Sequence, residues 1–244
     1  MREKGLTKSQ LQYLAIFAMV IDHTAWGFVE FMTPLGITMH LFGRLTLPIM
    51  CFFIAEGYAH THDLKKYILR MAVFAVVTIL PFYLFFHEEY GYRQNIIFDE
   101  LLALLALCVI NHQSLKKPVR ILLLGGLFVI SALIGGWVIM PIIYALVFYK
   151  NKEFKDKAKW FCFFTVLLFV TLATLILMNR KLHFIGYDWS VTQWIYLLGF
   201  MFALIPLSFY NGKKGTVFPG RYFFYGFYPA HFMVLWGIKM LLGV

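Results

Sequence analysis

Charged side chains are scarce in this chain of 244 residues: they make up 14% of it, whereas a soluble domain carries about a quarter. Hydrophobic residues make up 61%, and the 27 phenylalanines among them exceed what a single core can bury. These proportions exclude a cytosolic enzyme and a disordered protein. They indicate an integral membrane protein.

Cysteine is rare as well, and Cys51, Cys108 and Cys162 all lie inside apolar runs. An odd number of thiols in such runs excludes a disulfide-stapled secreted domain and favours simple packing. The histidine and aspartate spacings match no zinc signature, and the sequence has no serine nucleophile elbow or phosphate-binding loop.

Acidic residues are outnumbered, with 12 Asp and Glu against 22 Lys and Arg. The basic residues fall in short clusters between long apolar runs, which is typical of the cytoplasmic loops of a membrane protein with several spans. We therefore expect membrane lipids around the chain and no nucleic-acid partner.

Apolar runs of the length that a membrane helix needs, about 20 residues, recur along the chain. Between Pro118 and Lys150 the run is too long for one crossing, and Gly135-Gly136 predicts a turn within it, so that 119–149 form a short or re-entrant hairpin. With that turn, seventeen Lys and Arg residues lie on one side of the membrane, and only Arg93, Arg180 and Lys181 lie on the other. The other predicted spans are 11–32, 37–58, 67–86, 96–111, 160–178, 191–210 and 222–242.

The sequence thus predicts an all-α transmembrane bundle. We expect a single domain over 1–244 with about nine membrane passes, in the plasma membrane. The amino terminus is expected inside and the carboxyl terminus outside.

Ionisable residues within apolar runs cost about 2.5–3.5 kcal/mol each in hydrocarbon, so their positions are informative. They lie in the first, second, fourth and last predicted helices: Asp22 and His23; Arg44, Glu56 and His60; Asp99 and Glu100; and His231. Buried charges need partners, and we therefore expect a polar, water-filled cavity between the first, second and last helices. Its two mouths are expected to be positive toward the outside and acidic and imidazole-rich toward the cytoplasm.

Helical spacing limits which of these residues can touch. Asp22 and His23 lie about 100° apart around the helix, so a partner that orients His23 is expected from another helix. Glu56 and His60 are four residues apart and share a face. Arg44 lies about 18 Å from Glu56 along the axis, with a kink expected at Pro48.

Structural alternatives remain open for the same residues. Asp22 and Arg44 could form an ion pair between two helices, and His231 could bond to a backbone carbonyl. A metal site of Asp22, His23 and His231 is a further alternative.

Several motifs resemble the TraX family, in order along nearly the whole chain. They are IDHT at 21–24, GRLTLP at 43–48, AEGYAHTHDLKKYILR at 55–70, PF at 81–82, NIIF at 95–98 and FYPAH at 227–231. The family is named for a protein that acetylates the amino terminus of conjugative pilin. It is similar to the wider group of integral membrane acyltransferases, which use cytoplasmic acetyl-CoA.

The resemblance implies an acetyl-CoA-dependent membrane acetyltransferase whose acceptor is a peptide amino terminus or a glycan hydroxyl. His23 would act as general base or carry the acetyl group, with Asp22 and Glu56 also catalytic and Glu56 and His60 orienting the base or relaying a proton. Arg44 would stabilise an oxyanion or recognise an acidic acceptor. The remaining roles are substrate binding by Arg44, Asn95 and His231, and binding of the coenzyme A phosphates by Arg70, Lys65, Lys66 and His60.

Two departures from the family pattern, His62 and Asp99, concern the identity of the substrate more than the reaction. For Lys65, Lys66 and Arg70 the alternative explanation is topological charge, and it is the favoured one for Lys65 and Lys66. A small transporter or flippase with Asp22, His23, Glu56 and His231 as a proton relay is the alternative function, although no inverted repeat is apparent. A non-catalytic membrane scaffold is a third.

Overall fold

The computed structural model is all-helical, apart from an isolated backbone bridge, in the residues that it describes: 5–90, 94–182, 198–218, 220 and 222–243. Within these ranges the side chains of 87–90, 172, 175–177 and 179–182 are left undescribed. The helices are α1 (Lys8–Phe28), α2 (Pro34–Gly43), α3 (Thr46–His60), α4 (Leu64–Val77), α5 (Ile79–Tyr90), α6 (Ile96–Asn111), α7 (Lys117–Ile134), α8 (Met140–Lys150), α9 (Phe154–Leu182), α10 (Leu204–Ser208) and α11 (Phe223–Leu242).

Three segments within the described ranges are long and apolar enough to cross a membrane: Pro34–His60, Leu64–Phe86 and Lys117–Ile134. Large apolar side chains remain on their surfaces, with Val76 66% and Leu122 74% exposed. Such surfaces suit hydrocarbon rather than water.

The prediction of an all-helical membrane bundle is therefore confirmed. The number of passes and the orientation stay predictions. Arg93 and the side chains of Arg180 and Lys181, on which the orientation depends, lie outside the described residues.

The second predicted span, 37–58, is not one kinked helix. It belongs to two helices, because α2 ends at Gly43 and α3 begins at Thr46. The break therefore precedes Pro48, where a kink was expected. Pro48 is the third residue of α3, a position whose N–H has no partner within the helix, so proline costs no hydrogen bond there.

A similar break divides the third predicted span, 67–86, at Thr78. Pro81 is the third residue of α5, as Pro48 is in α3. The Thr78 hydroxyl and the Thr78 backbone N–H both donate to the Phe74 carbonyl oxygen, at 2.7 Å and 3.0 Å, at the end of α4.

The turn predicted within 119–149 is present at Gly135-Gly136 and separates α7 from α8. The two helices each pack against α6, however, and do not pair extensively with each other as a hairpin would. α7 has 18 residues and α8 only 11, which gives lengths of roughly 27 Å and 16 Å. α8 is therefore too short to cross a bilayer as a straight helix.

Three apolar clusters join the helices. The first packs α1, α3, α8 and α9 together, and the second joins α3, α4, α6 and α8. The third brings α11 against α1 and α5, with Met19, Phe86 and Phe232 among its buried side chains. This third cluster surrounds the middle of α1, where Asp22 and His23 lie.

Candidate functional site

Asp22 of α1 faces α2. Its Oδ1 atom lies 2.9 Å from Nδ1 of His40 and 3.4 Å from Nη2 of Arg44. The close approach depends on Gly43, because a Cβ atom there would overlap the Asp22 side chain. The ion pair between Asp22 and Arg44, one of the structural alternatives, is thus confirmed.

His40 is a residue that the sequence analysis missed. Its side chain is fully buried and binds Asp22 directly. The available signal was its spacing: His40 and Arg44 are four residues apart, so they share a face of one helix.

The Arg44 guanidinium is held on a second side by an aromatic ring, since its Cζ lies 4.7 Å from the centre of the Trp137 ring. Its Nε atom is buried and has no hydrogen-bond partner among the described residues. We call Asp22, His40 and Arg44 the charged cluster. Within it, one N–H of Arg44 is left available.

His23, the next residue of α1, faces α11 instead. Its Nδ1 atom lies 2.7 Å from Nε2 of His231, and the two rings are stacked with centres 5.0 Å apart. Phe86 and Phe232 pack against the His23 ring at 5.6 Å and 4.7 Å. The prediction that another helix supplies the partner of His23 is confirmed. We call His23 and His231 the imidazole pair.

The hydrogen bonds of this pair fix the tautomers of neutral rings. Nδ1 of His231 lies 3.3 Å from the Phe227 carbonyl oxygen, which can only accept. His231 therefore donates through Nδ1 and accepts through Nε2, so that His23 donates through Nδ1. Nε2 of His23 then carries a lone pair, and it receives no hydrogen bond from a described residue.

Two neighbouring cavities meet near this pair. The larger has a volume of about 650 Å³ and is lined by α1, α3, α4, α6, α11 and residues 210–217. The smaller, of about 40 Å³, is lined by His23, Asp22 and Arg44. Met19, Thr46 and Ile96 line both.

The first, second and last predicted helices all line the larger cavity, as expected, and α4, α6 and residues 210–217 line it as well. Met19, Thr46 and Ile96 line both cavities and therefore lie at the boundary between His23 and the larger space, which we call the wall. His231 lines neither cavity, so its predicted contact with substrate has no support among the described contacts.

The rim of the larger cavity carries positive charge. From the sequence, these basic residues served only to predict the orientation of the chain in the membrane. Lys8 and Lys214 line this rim, together with the exposed His62. They are brought there by backbone pairing of two distant segments. Lys8 N–H donates to the Lys213 carbonyl oxygen at 2.9 Å, and Ser9 N–H donates to the Lys214 carbonyl oxygen at 3.1 Å.

Arg70 also lines the larger cavity, as a coenzyme-binding residue should. Its Nε donates to the Tyr225 hydroxyl at 3.3 Å, and its guanidinium lies 5.5 Å from the centres of both the Tyr67 and Tyr225 rings. The two tyrosines hold the charge at the cavity wall.

Lys65 and Lys66 are placed differently. Both are exposed and line neither cavity. Lys66 Nζ lies 3.0 Å from Asp63 Oδ2, and the Lys66 backbone N–H and ammonium hold the pKa of Asp63 below its usual range. The topological explanation therefore suits these two lysines better than a role in binding coenzyme.

Glu56 and His60 lie together on the rim of the larger cavity. His60 Nδ1 is 2.9 Å from the Glu56 carbonyl oxygen and 3.8 Å from its carboxylate, so the predicted shared face is confirmed. No described contact joins them to His23, so their role in orienting the base or relaying a proton stays a prediction. Asp22 turns to His40 and Arg44 and not to His23, as the helical spacing predicted.

Asn95, predicted to bind substrate, instead supports the fold. It is 1% exposed. Its side-chain oxygen Oδ1 accepts the N–H groups of Ile97 and Phe98 at the start of α6, and its side-chain Nδ2 donates to the Ala75 carbonyl oxygen. Its substrate role stays a prediction without a supporting contact.

The family model described as TraX protein matches residues 7–239. The chain belongs to the TraX family. The "Probable fimbrial assembly protein FimC, serogroup H1" of Dichelobacter nodosus is 34% identical to it over 249 residues, which cover 96% of each chain. No solved structure matches.

A metal centre finds no support in the described part of this TraX-family protein. No group of three or more His, Cys, Asp or Glu side chains in that part could hold a metal ion. Asp22 turns to His40 and Arg44 whereas His23 turns to His231, so the three residues of the metal alternative do not converge.

Proposed function

We propose that this protein is a multi-pass plasma-membrane acetyltransferase. It takes the acetyl group from cytoplasmic acetyl-CoA and transfers it to an amine or hydroxyl at the membrane or its outer face. The acceptor is a peptide amino terminus or a glycan. Membership of the TraX family supports the reaction class.

The imidazole pair is the observation that carries the proposal. His231 orients the His23 ring and fixes which nitrogen is protonated, as the third member of a catalytic triad does for its base. The free lone pair on Nε2 is what a general base requires.

In the proposed reaction the acetyl group passes from the thioester to the acceptor with His23 as general base. The acceptor nitrogen or oxygen attacks the thioester carbonyl while Nε2 of His23 takes the acceptor proton. The resulting intermediate collapses, the C–S bond breaks, and coenzyme A leaves with the proton that His23 returns to its sulfur. Arg44, whose Nε–H has no acceptor among the described residues, would stabilise the oxyanion.

The larger cavity supports binding of the donor. Its volume of about 650 Å³ lies in the usual range for cofactor sites. Arg70, Lys8 and Lys214 at its wall and rim suit the coenzyme phosphates, since cations bind phosphate oxygens by charge-assisted hydrogen bonds. The acetyl group must pass the wall, where Met19 has the most flexible side chain.

The transporter alternative has less support. Its four relay residues fall into three separate contacts, Asp22 with the charged cluster, His23 with His231, and Glu56 with His60. No specific contact in the described structure joins them into one path.

The test uses the purified full chain in detergent with radiolabelled acetyl-CoA. His23→Ala is expected to lower acetyl transfer, or hydrolysis where no acceptor is present, by about 10²–10⁴-fold. His112→Ala, which removes an exposed imidazole remote from both cavities, is the matched control. Equal turnover of the His23 variant and the control would remove His23 from the reaction, and a wild-type protein that neither binds nor turns over acetyl-CoA would overturn the proposed function.

A further inference from the structure

Two consecutive acidic residues in the first turns of α6 are both buried, Asp99 at 0% and Glu100 at 5% exposure. Asp99 has an evident structural role. Its Oδ2 atom accepts the Trp137 N–H at 3.1 Å, and its carboxylate lies against the Gly135-Gly136 turn between α7 and α8. It therefore ties α6 to that turn.

Glu100 has no such role. It lines the larger cavity, and its carboxyl group makes neither a hydrogen bond nor an ion pair with any described residue. A buried carboxyl group without a partner costs several kcal/mol, and buried polar groups are almost always bonded. Because it faces the cavity, a bound ligand can supply the missing partner.

The position of Glu100 limits which part of a ligand it can meet. Ile96, four residues earlier on the same face of α6, lines both cavities. Glu100 is thus about one helical turn, roughly 5–6 Å, from the wall in front of His23.

We propose that Glu100 is a ligand-binding residue whose carboxyl oxygen accepts an N–H group of the molecule in the larger cavity. A carboxyl group has an acceptor oxygen whether or not it is protonated. The inference rests on the proposed function, which offers two sources of the N–H: the amides of the arm between the nucleotide and the thioester of acetyl-CoA, and the amino group of the acceptor.

The first test measures equilibrium binding of acetyl-CoA to the full chain in detergent, without acceptor. Glu100→Leu removes the acceptor atoms at similar volume and is expected to weaken binding at least tenfold, whereas Glu100→Gln keeps a carbonyl oxygen and should stay within about threefold of wild type. Asp99→Asn is the neighbouring control and is expected to leave affinity unchanged.

The second test asks whether the N–H belongs to the amino group of the acceptor. It measures acetyl transfer to a short peptide with a free amino terminus and to its analogue with a terminal hydroxyl. If Glu100→Leu leaves acetyl-CoA affinity unchanged but raises KM for the amine about tenfold and not for the hydroxyl, the N–H belongs to the acceptor. If the Leu variant matches wild type in both tests, the inference is overturned. Failure of the proposed function is distinguishable, because there the wild-type protein itself neither binds nor transfers.

Discussion

The charged cluster and the imidazole pair begin at consecutive residues of α1, yet they differ in how their polar atoms are used. In the charged cluster the carboxylate of Asp22 is bound by both His40 and Arg44, so the contacts join two helices. In the imidazole pair, the lone pair on Nε2 of His23 has no hydrogen-bond partner among the described residues. The comparison teaches that polar atoms with partners serve the fold, whereas those without a partner among the described residues, Nε2 of His23 and Nε of Arg44, are available for chemistry.

The largest difference that we expect between the two clusters is in how much each stabilises the folded protein. Asp22→Ala leaves Arg44 as a buried charge without its carboxylate and is expected to lower the free energy of unfolding by about 3–5 kcal/mol. His23→Ala should lower it by less than half as much. Thermal unfolding midpoints in detergent micelles measure both.

Removing the charge of Arg44 as well provides the control. The double variant Asp22→Leu/Arg44→Met should recover part of the lost stability, since neither charge is then buried alone. A midpoint for Asp22→Ala as high as that for His23→Ala would break the distinction between the two clusters.

The next effect is on turnover. His231→Ala is expected to lower kcat about 100-fold, because the His23 ring loses both its orientation and its fixed tautomer. KM for acetyl-CoA should hardly change, as His231 lines neither cavity. Steady-state kinetics of the purified variants separates the two constants.

His231→Gln is the informative companion variant. Its amide oxygen can accept from Nδ1 of His23, so about tenfold of the lost kcat should return. Equal kcat values for the Gln and Ala variants would contradict the role of His231 in orienting the base.

A smaller effect is expected at the helix contact that brings Asp22 to α2. Gly43→Ala places a methyl group against the Asp22 side chain and should destabilise the protein by about 1–3 kcal/mol. Gly126→Ala is the matched control, since nothing lies within 4 Å of its Cβ position. Unfolding midpoints in micelles should fall for the first and not for the second.

The smallest effect concerns which cations bind acetyl-CoA and which lie outside the cavities. Arg70→Ala is expected to weaken acetyl-CoA binding about tenfold, because Arg70 lines the larger cavity. Lys66→Ala should change affinity by less than about twofold, since Lys66 is paired with Asp63 outside both cavities. Equilibrium binding of acetyl-CoA compares them, and a larger loss for Lys66 would restore it as a binding residue.

Local spacing made part of this site predictable from the sequence. Consecutive residues on a helix cannot face one partner, which is why a second helix was expected to orient His23. Buried charges need partners of opposite sign, which is why an ion pair between Asp22 and Arg44 was considered from the sequence.

Contacts between distant segments were not predictable in this way. The pairing of 6–9 with 209–214 brings Lys8 and Lys214 to one rim, and no helical or strand periodicity encodes it. The wall of Met19, Thr46 and Ile96 depends on how three helices pack in detail. A pattern of apolar residues indicates that such helices meet, but not whether their side chains close a passage.

The break between α2 and α3 has a consequence for how the chain enters the bilayer. The segment Pro34–His60 brings Arg44 and an interrupted backbone into hydrocarbon, and Arg44 alone costs about 2.5–3.5 kcal/mol to insert. Its counter-ion Asp22 is already present on α1. We therefore expect the two segments to insert as a pair, because the contact between Asp22 and Arg44 lets each charge compensate the other within the membrane.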